Sequence, residues 1–203
     1  MTLFKGGSMG RKTTITKEMI LQAAYEILES EGYDKVNIKT VAAKVNCSTQ
    51  PVSWHFGNME SFRRELFGYC GAKMWGNIEA MKEGKDAAHA FFETGKNYIS
   101  IACDHPNVFR FLHIDDPSDL LEPGVNLMDM LGDPGIVKQM AEETGKPVSE
   151  ITDAIRDTII YTHGLAVFMM WESTRLHKEQ AFDMIFTQGK KRFADIGIDI
   201  GER

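Results

Sequence analysis

The chain has 203 residues, of which 43% are hydrophobic and 26% charged, the balance of an average soluble protein with length enough for a small domain joined to a larger one. No apolar run approaches the roughly 18 residues of a membrane span, and Cys47, Cys70 and Cys103 fit neither a paired metal-ligand spacing nor a disulfide framework; the expectation is a cytoplasmic protein with no membrane and no cofactor. The net charge of −6 is uneven: residues 1–82 carry 11 Lys/Arg against 8 Asp/Glu, or +3, and residues 83–203 carry 12 against 21, or −9, so only the N-terminal part can face nucleic-acid phosphate.

Residues 1–13 mix Gly, Ser, Lys and Arg without periodicity and read as a disordered arm. A first helix is expected after Thr16, with Ile15 and Ile20 as a hydrophobic staple, Ile20, Ala23, Ala24, Ile27 and Leu28 as its buried stripe, and Gly32 as its end. Asn37 then caps a short helix whose Ile38, Val41, Ala42 and Val45 fall at i, i+3, i+4 and i+7. Asn46 tolerates the left-handed conformation that ends a helix, and Ser48 can cap the next one, so the linker has the length of a helix-turn-helix corner. The following helix starts at Thr49 and closes at Phe56. Pro51 lies in its first turn, where a missing N–H leaves no bond unmade. Segment 37–56 therefore reads as a helix-turn-helix whose second helix suits a DNA groove. A three-helix bundle of this size needs a neighbour to bury its core.

That neighbour is expected as a long helix from Asn58 to Gly84, with Phe62, Leu66, Cys70, Met74, Ile78 and Met81 on one face and bending at Gly68, Gly71 and Gly76. A helix over 86–104 follows, then a short one entered at Pro106, a turn-rich loop over 115–124, and two short helices over 125–131 and 134–144. The helix over 149–173 is apolar on more than one side and needs cover there. A last helix spans 178–196. No strand signal, internal repeat or low-complexity tract is present. The expected class is all-α: a disordered arm over 1–13, a helix-turn-helix DNA-binding domain over 14–60, and a helical ligand-binding and dimerisation domain over 61–203.

Gly32-Tyr33, Asn37, the run VAAKVNCS, the triplet Trp54-His55-Phe56 and Glu60 together resemble the DNA-binding module of TetR-family (tetracycline-repressor-like) regulators. The match covers about residues 15–67. In the C-terminal part the resemblance is confined to a helical plan, the segment His105 to Arg110 and the pair His163-Gly164. Ser53, Met59 and Gln50-Pro51 depart from the common pattern; the first two replace groups that commonly touch phosphate in the family. The resemblance implies a ligand-responsive transcriptional repressor that binds a pseudo-palindromic double-stranded DNA operator as a homodimer. It also implies an inducer pocket between the C-terminal helices.

On the helix over 49–56, Val52 and Phe56 are spaced to face the bundle, leaving Thr49, Gln50, Ser53 and Trp54 outward. Gln50 can pair with an adenine edge and Thr49 with a thymine, whereas Trp54, His55, Lys39 and Thr40 suit phosphate, which positions without reading sequence. Asn37, Ser48 and Pro51 complete the candidate DNA face. Phe92, Tyr98, Phe109, Met128, Tyr161, His163, Phe168 and Trp171 are candidates to line a site for a partly apolar small molecule, with plain core as the competing reading. The last two long helices are expected to pair with their twofold mates, Gly164, Ala166 and Gly189 allowing close approach. A different class, a helical metalloprotein or hydrolase, would use His113, Asp115 and Asp116. His113 and Asp115 do not share a helical face, however, and no HExxH or Gly-x-Ser-x-Gly motif occurs, so no catalytic or metal-binding residue is assigned. A third reading keeps the fold as a sensor that no longer binds DNA.

Overall fold

A computed structural model of the chain describes residues 14–115, 117, 120 and 132–202, among which there are ten α-helices and no strand. The arm over 1–13, the helix expected over 125–131, and Asp116 and Met128 lie outside the described residues.

Helix α1 (Lys17–Glu31) starts where the Thr16 hydroxyl accepts the Met19 N–H at 3.2 Å, and it stops at Gly32. After a 3-10 turn over Tyr33–Lys35, α2 (Ile38–Lys44) is held by a reciprocal cap. The Asn37 side chain accepts the N–H groups of Lys39 and Thr40 at 3.0 and 3.1 Å, while the Thr40 hydroxyl accepts the Asn37 N–H at 3.1 Å. Asn46 takes φ 53 at the corner, and α3 (Thr49–Phe56) follows. In α4 (Met59–Trp75) the Asn58 side chain accepts the Ser61 N–H at 2.8 Å.

The helix expected to run unbroken from Asn58 to Gly84 is interrupted. It ends at Trp75, and a separate α5 covers Ile78–Lys82. At the break a Cβ on Gly76 would lie 2.5 Å from the Ala72 carbonyl oxygen, so a larger residue there would require the backbone to shift. Helices α6 (Ala87–Asp104), α7 (Pro106–His113), α8 (Pro134–Thr144) and α10 (Lys178–Asp195) lie close to their expected positions. Helix α9 (Val148–Met169) ends four residues short of expectation, and Glu172–Thr174 form a 3-10 turn instead.

Packing divides into three cores. The first takes Ile20, Ala24 and Leu28 of α1, Val41 of α2, Val52 and Phe56 of α3, and Phe62, Leu66 and Cys70 of α4. It is completed by Val108, Phe111 and Leu112 of α7, so the neighbour that the small bundle requires is α4 and α7 together. The other two cores are built around α6, which packs against α5, α7, α8, α9 and α10. Burial there leaves few polar groups: Thr158 and Thr162 are inside α9, and each hydroxyl donates to the carbonyl four residues back at 2.8 Å.

Two of the three small residues expected at a dimer contact are turned inward. Ala166 is fully buried within the subunit. A Cβ on Gly189 would lie 2.5 Å from Cζ of Phe92, so this glycine admits the Phe92 ring rather than a second subunit. Gly164 alone has open space beside it.

Candidate nucleic-acid interface

The orientation of α3 follows from two anchors. Val52 and Phe56 are 1% and 6% exposed, and the Phe56 ring meets Phe62 edge-on at 4.8 Å between centroids. One face is thereby fixed to the first core, and Thr49, Gln50, Ser53 and Trp54 are left exposed on the other. Trp54 is 79% exposed, an unusual position for the largest apolar side chain unless it meets a partner. Ser48 stands at the N-cap with its hydroxyl making no cap bond, and Pro51 is half-buried in the first turn. A groove of about 890 Å³ runs beside this face between Gln50, Pro51 and Trp54 on one wall and Thr14, Ile15 and Met19 on the other.

The remaining candidates differ in availability. Lys39 is exposed and forms no ion pair among the described residues, whereas Lys44 is paired with Glu26 at 3.0 Å and Lys17 with Glu65 at 2.5 Å. The side chains of Asn37 and Thr40 are exposed but engaged: besides the cap, the Thr40 hydroxyl donates to the Lys35 carbonyl at 2.6 Å. Their side chains hold α2 against the turn before it, which fixes the scaffold on which α3 sits. His55 is half-buried, with Nε2 at 3.0 Å from the Ile15 carbonyl. Because a carbonyl only accepts, that nitrogen carries the proton. The ring thus ties the end of α3 to the entry of α1 across 40 residues of sequence, and its Nε2–H is already used. The sequence does not place Thr14, Ile15 and Met19 beside α3; they reach the groove through the docking of α1, with Ile15 held by its carbonyl to His55, which no local pattern reports.

The candidate effector residues do not converge as one set. Phe92 is 3% exposed and packs against Phe186 at 4.9 Å and Phe91 at 5.4 Å, in the interior of the second core. Phe168 and Trp171 are 52% and 54% exposed and meet each other edge-on at 5.2 Å. Phe168 stands on the outside of α9 and Trp171 just beyond its end, apart from the other candidates. Tyr161 is half-buried against the third core. Tyr98, Phe109 and His163 do come together: the Tyr98 hydroxyl lies 2.7 Å from Nδ1 of His163, and its ring is 4.9 Å from that of Phe109. His113, which the metal-site reading paired with Asp115 and Asp116, joins this aromatic group instead. Among the described residues no group of three His, Cys, Asp or Glu side chains gathers in a way that would hold a metal ion, and no helix is long and apolar enough to cross a membrane.

Comparison with known proteins agrees with this geometry. Residues 20–66 match the family model of bacterial regulatory proteins, tetR family. No curated protein sequence matches the chain significantly. Among solved structures, a TetR-like transcriptional regulator from Rhodococcus sp. RHA1 superposes with a TM-score of 0.65 at 11% identity, covering 90% of this chain and 96% of its own. A TetR variant from Acinetobacter baumannii AYE in complex with minocycline gives 0.61 at 16% identity, covering 90% and 98%. The fatty acid degradation regulator FadR from Bacillus halodurans gives 0.59 at 13% identity, covering 90% and 100%. At these identities the likeness is one of fold. Residues 20–66 thus match the tetR family model, on a chain whose fold is similar to that of the TetR-like transcriptional regulators.

Proposed function

We propose that the chain is a ligand-responsive transcriptional repressor that binds a pseudo-palindromic operator as a homodimer through α3 and is released when a partly apolar small molecule enters the C-terminal domain. The observation that carries this reading is the division of α3 into a buried side, Val52 and Phe56, and an exposed side, Thr49, Gln50, Ser53 and Trp54. In this scheme Gln50 and Thr49 read base edges in the major groove, Lys39 and Trp54 grip phosphate, and Asn37, Thr40 and His55 hold the motif in shape.

Dimerisation is supported by α9. Ile160, Gly164 and Phe168 follow at intervals of four, Trp171 comes three further on, and Ile160, Phe168 and Trp171 are each more than half exposed. An apolar stripe of this kind calls for cover, and a second copy presenting the same stripe supplies it about a twofold axis. Two copies of α3 would then have to stand about 34 to 36 Å apart to enter successive major grooves. A ligand that prefers another arrangement of the C-terminal helices changes that spacing and lowers operator affinity. The bound minocycline of the Acinetobacter protein and the fatty-acid theme of the Bacillus one favour an effector with substantial apolar surface.

Selection from a library of randomised duplexes at stated salt tests the reading. Gln50→Ala should relax preference at particular bases, whereas Lys39→Ala should weaken every sequence alike and reduce the salt slope by about one unit. Equal loss on all duplexes for both variants would overturn the assignment of roles, and no enriched duplex for the parent chain would favour a sensor that has lost its operator.

A further inference from the structure

Beyond α10 the chain turns back at Gly197, whose φ is 74, and lays Ile198 and Ile200 in the second core at 5% exposure each. The N–H groups of Gly197 and Ile198 donate to the carbonyls of Ala194 and Phe193 at 2.9 and 3.0 Å, and the Lys190 ammonium of α10 donates to the Gly201 carbonyl. The end of this segment meets the first turn of α6 at His89. Nδ1 of His89 lies 2.8 and 2.9 Å from the two carboxylate oxygens of Asp86, and Nε2 lies 3.1 Å from the Glu202 carbonyl. Asp86 is itself the cap of α6, accepting the backbone N–H of His89 at 2.8 Å. Although burial opposes it, the bonds from His89 hold the Asp86 carboxyl below its usual range, so it is ionised. Both partners of the ring therefore only accept, and an imidazole offers two N–H groups only when it is protonated.

We propose that His89 is a proton-operated latch for segment 196–202: the imidazolium ties the Glu202 carbonyl to α6, and loss of the proton lets that end go. A neutral ring keeps one N–H. Asp86, the charged acceptor, takes it in the stronger bond, and Nε2 is left with a lone pair facing the lone pairs of the Glu202 carbonyl. The direction of titration agrees with this geometry. The Glu202 carbonyl, and after it the Asp86 carboxylate, raise the His89 imidazole above its ordinary 6.5, against its burial and the charge of Lys96. Because the folded value is raised, the latch is fully formed below 6.5 and is lost as pH rises through the folded value. Two further charges reach the same region. Lys190 lies 3.6 Å from the Glu202 carboxylate, and the Glu143 carboxylate of α8 accepts the Ala87 N–H at 3.1 Å; neither takes a nitrogen of the ring. The segment that the latch holds is a cover, since Ile198 and Ile200 share one core with Phe91, Ile151 and Phe193. The covering of that core thus responds to pH in the range where histidine changes its charge.

The test is an NMR titration of the full chain, labelled with ¹⁵N in histidine rings and backbone, from about pH 5 to about 9. The expected result is a His89 midpoint above 6.5, with the heteronuclear NOE of the Gly201 and Glu202 amides lost at that same midpoint. In a chain ending at Ile200 the midpoint should fall by about half a unit or more, roughly a threefold change in proton affinity, because coupling between proton and tail is reciprocal. In His89→Leu the NOE of both amides should be low at every pH. A full-chain midpoint at or below 6.5, or tail amides that keep their order through the midpoint, overturns the proposal without recourse to any variant. An unchanged midpoint in the shortened chain, or a tail that still follows pH in His89→Leu, overturns it as well.

Discussion

Replacing Gly189 by Ala adds one methyl group where the structure has no room for it. The new Cβ would stand 2.5 and 2.6 Å from Cζ and Cε1 of Phe92 and 3.2 Å from Cγ2 of Thr158. Carbon atoms settle at about 3.5 to 4.0 Å, so the ring has to retreat by about 1 Å. It has nowhere to go, being 3% exposed and backed by Phe186 and Phe91. Overpacking of this kind costs about 1–3 kcal/mol, against which the better helix propensity of Ala returns up to about 1 kcal/mol. The net loss of about 1–2 kcal/mol lowers the midpoint of thermal unfolding by roughly 2–8 °C in a chain of this size. Gly164→Ala has open space around it and should not lower the stability of the subunit. Calorimetry at matched protein concentration compares the two, and a cycle with Phe92→Leu should show that the smaller side chain relieves part of the Gly189→Ala loss. If Gly189→Ala unfolds at or above the parent midpoint, or if the cycle shows no coupling, the close approach of α6 and α10 has been misread.

Phe168→Asp places a charge in the exposed stripe of α9 without touching a core; the expected outcome is a folded monomer by sedimentation with operator affinity reduced along with it, and an unchanged dimer would move the interface elsewhere. Asn37→Ala removes the acceptor of two N–H groups and should cost about 1 kcal/mol, whereas Asn37→Gly should cost only a few tenths; the shift of the denaturant midpoint at constant slope measures both. The pH dependence follows from His113, whose folded value is pushed by burial down to about 4, below its ordinary 6.5. Between these values the unfolded chain binds a proton that the folded chain does not, so stability falls as pH drops from 6.5 toward 4 and is unaffected by this group above that window. The slope is at most about 1.4 kcal/mol per pH unit from this residue. His113→Phe should flatten the stability profile between pH 6.5 and 4 relative to the parent, and identical profiles would show that the ring is not buried as described.

The helices of the N-terminal domain are legible in the sequence because their determinants are local. Thr16, Asn37 and Asn58 cap helices within three residues of themselves, and the stripe of α1 is set by a period of 3.6. The outward face of α3 is legible for the same reason: once Val52 and Phe56 are anchored, the geometry of a helix fixes the rest. Spacing alone does not say which side chains are already engaged. Thr40 and His55 are of the right type for phosphate, and only the folded chain commits one to the Lys35 carbonyl and the other to the Ile15 carbonyl.

The larger domain is less legible, because an apolar side chain on a helix covered from several sides does not reveal which neighbour it meets. Phe92, Phe168 and His163 look alike as candidates for an effector site, and they lie respectively in a closed core, on the outer surface of α9, and beside Tyr98. The same holds for glycine: Gly164 and Gly189 are interchangeable in the sequence, and a single ring, Phe92, distinguishes them. Sequence by itself determined an all-helical chain with a helix-turn-helix over 37–56, since caps and periods act over a few residues. Tertiary structure alone decided that α7 completes the core of that motif while turning His113 toward Tyr98, because both contacts join helices distant in sequence and depend on how whole helices pack.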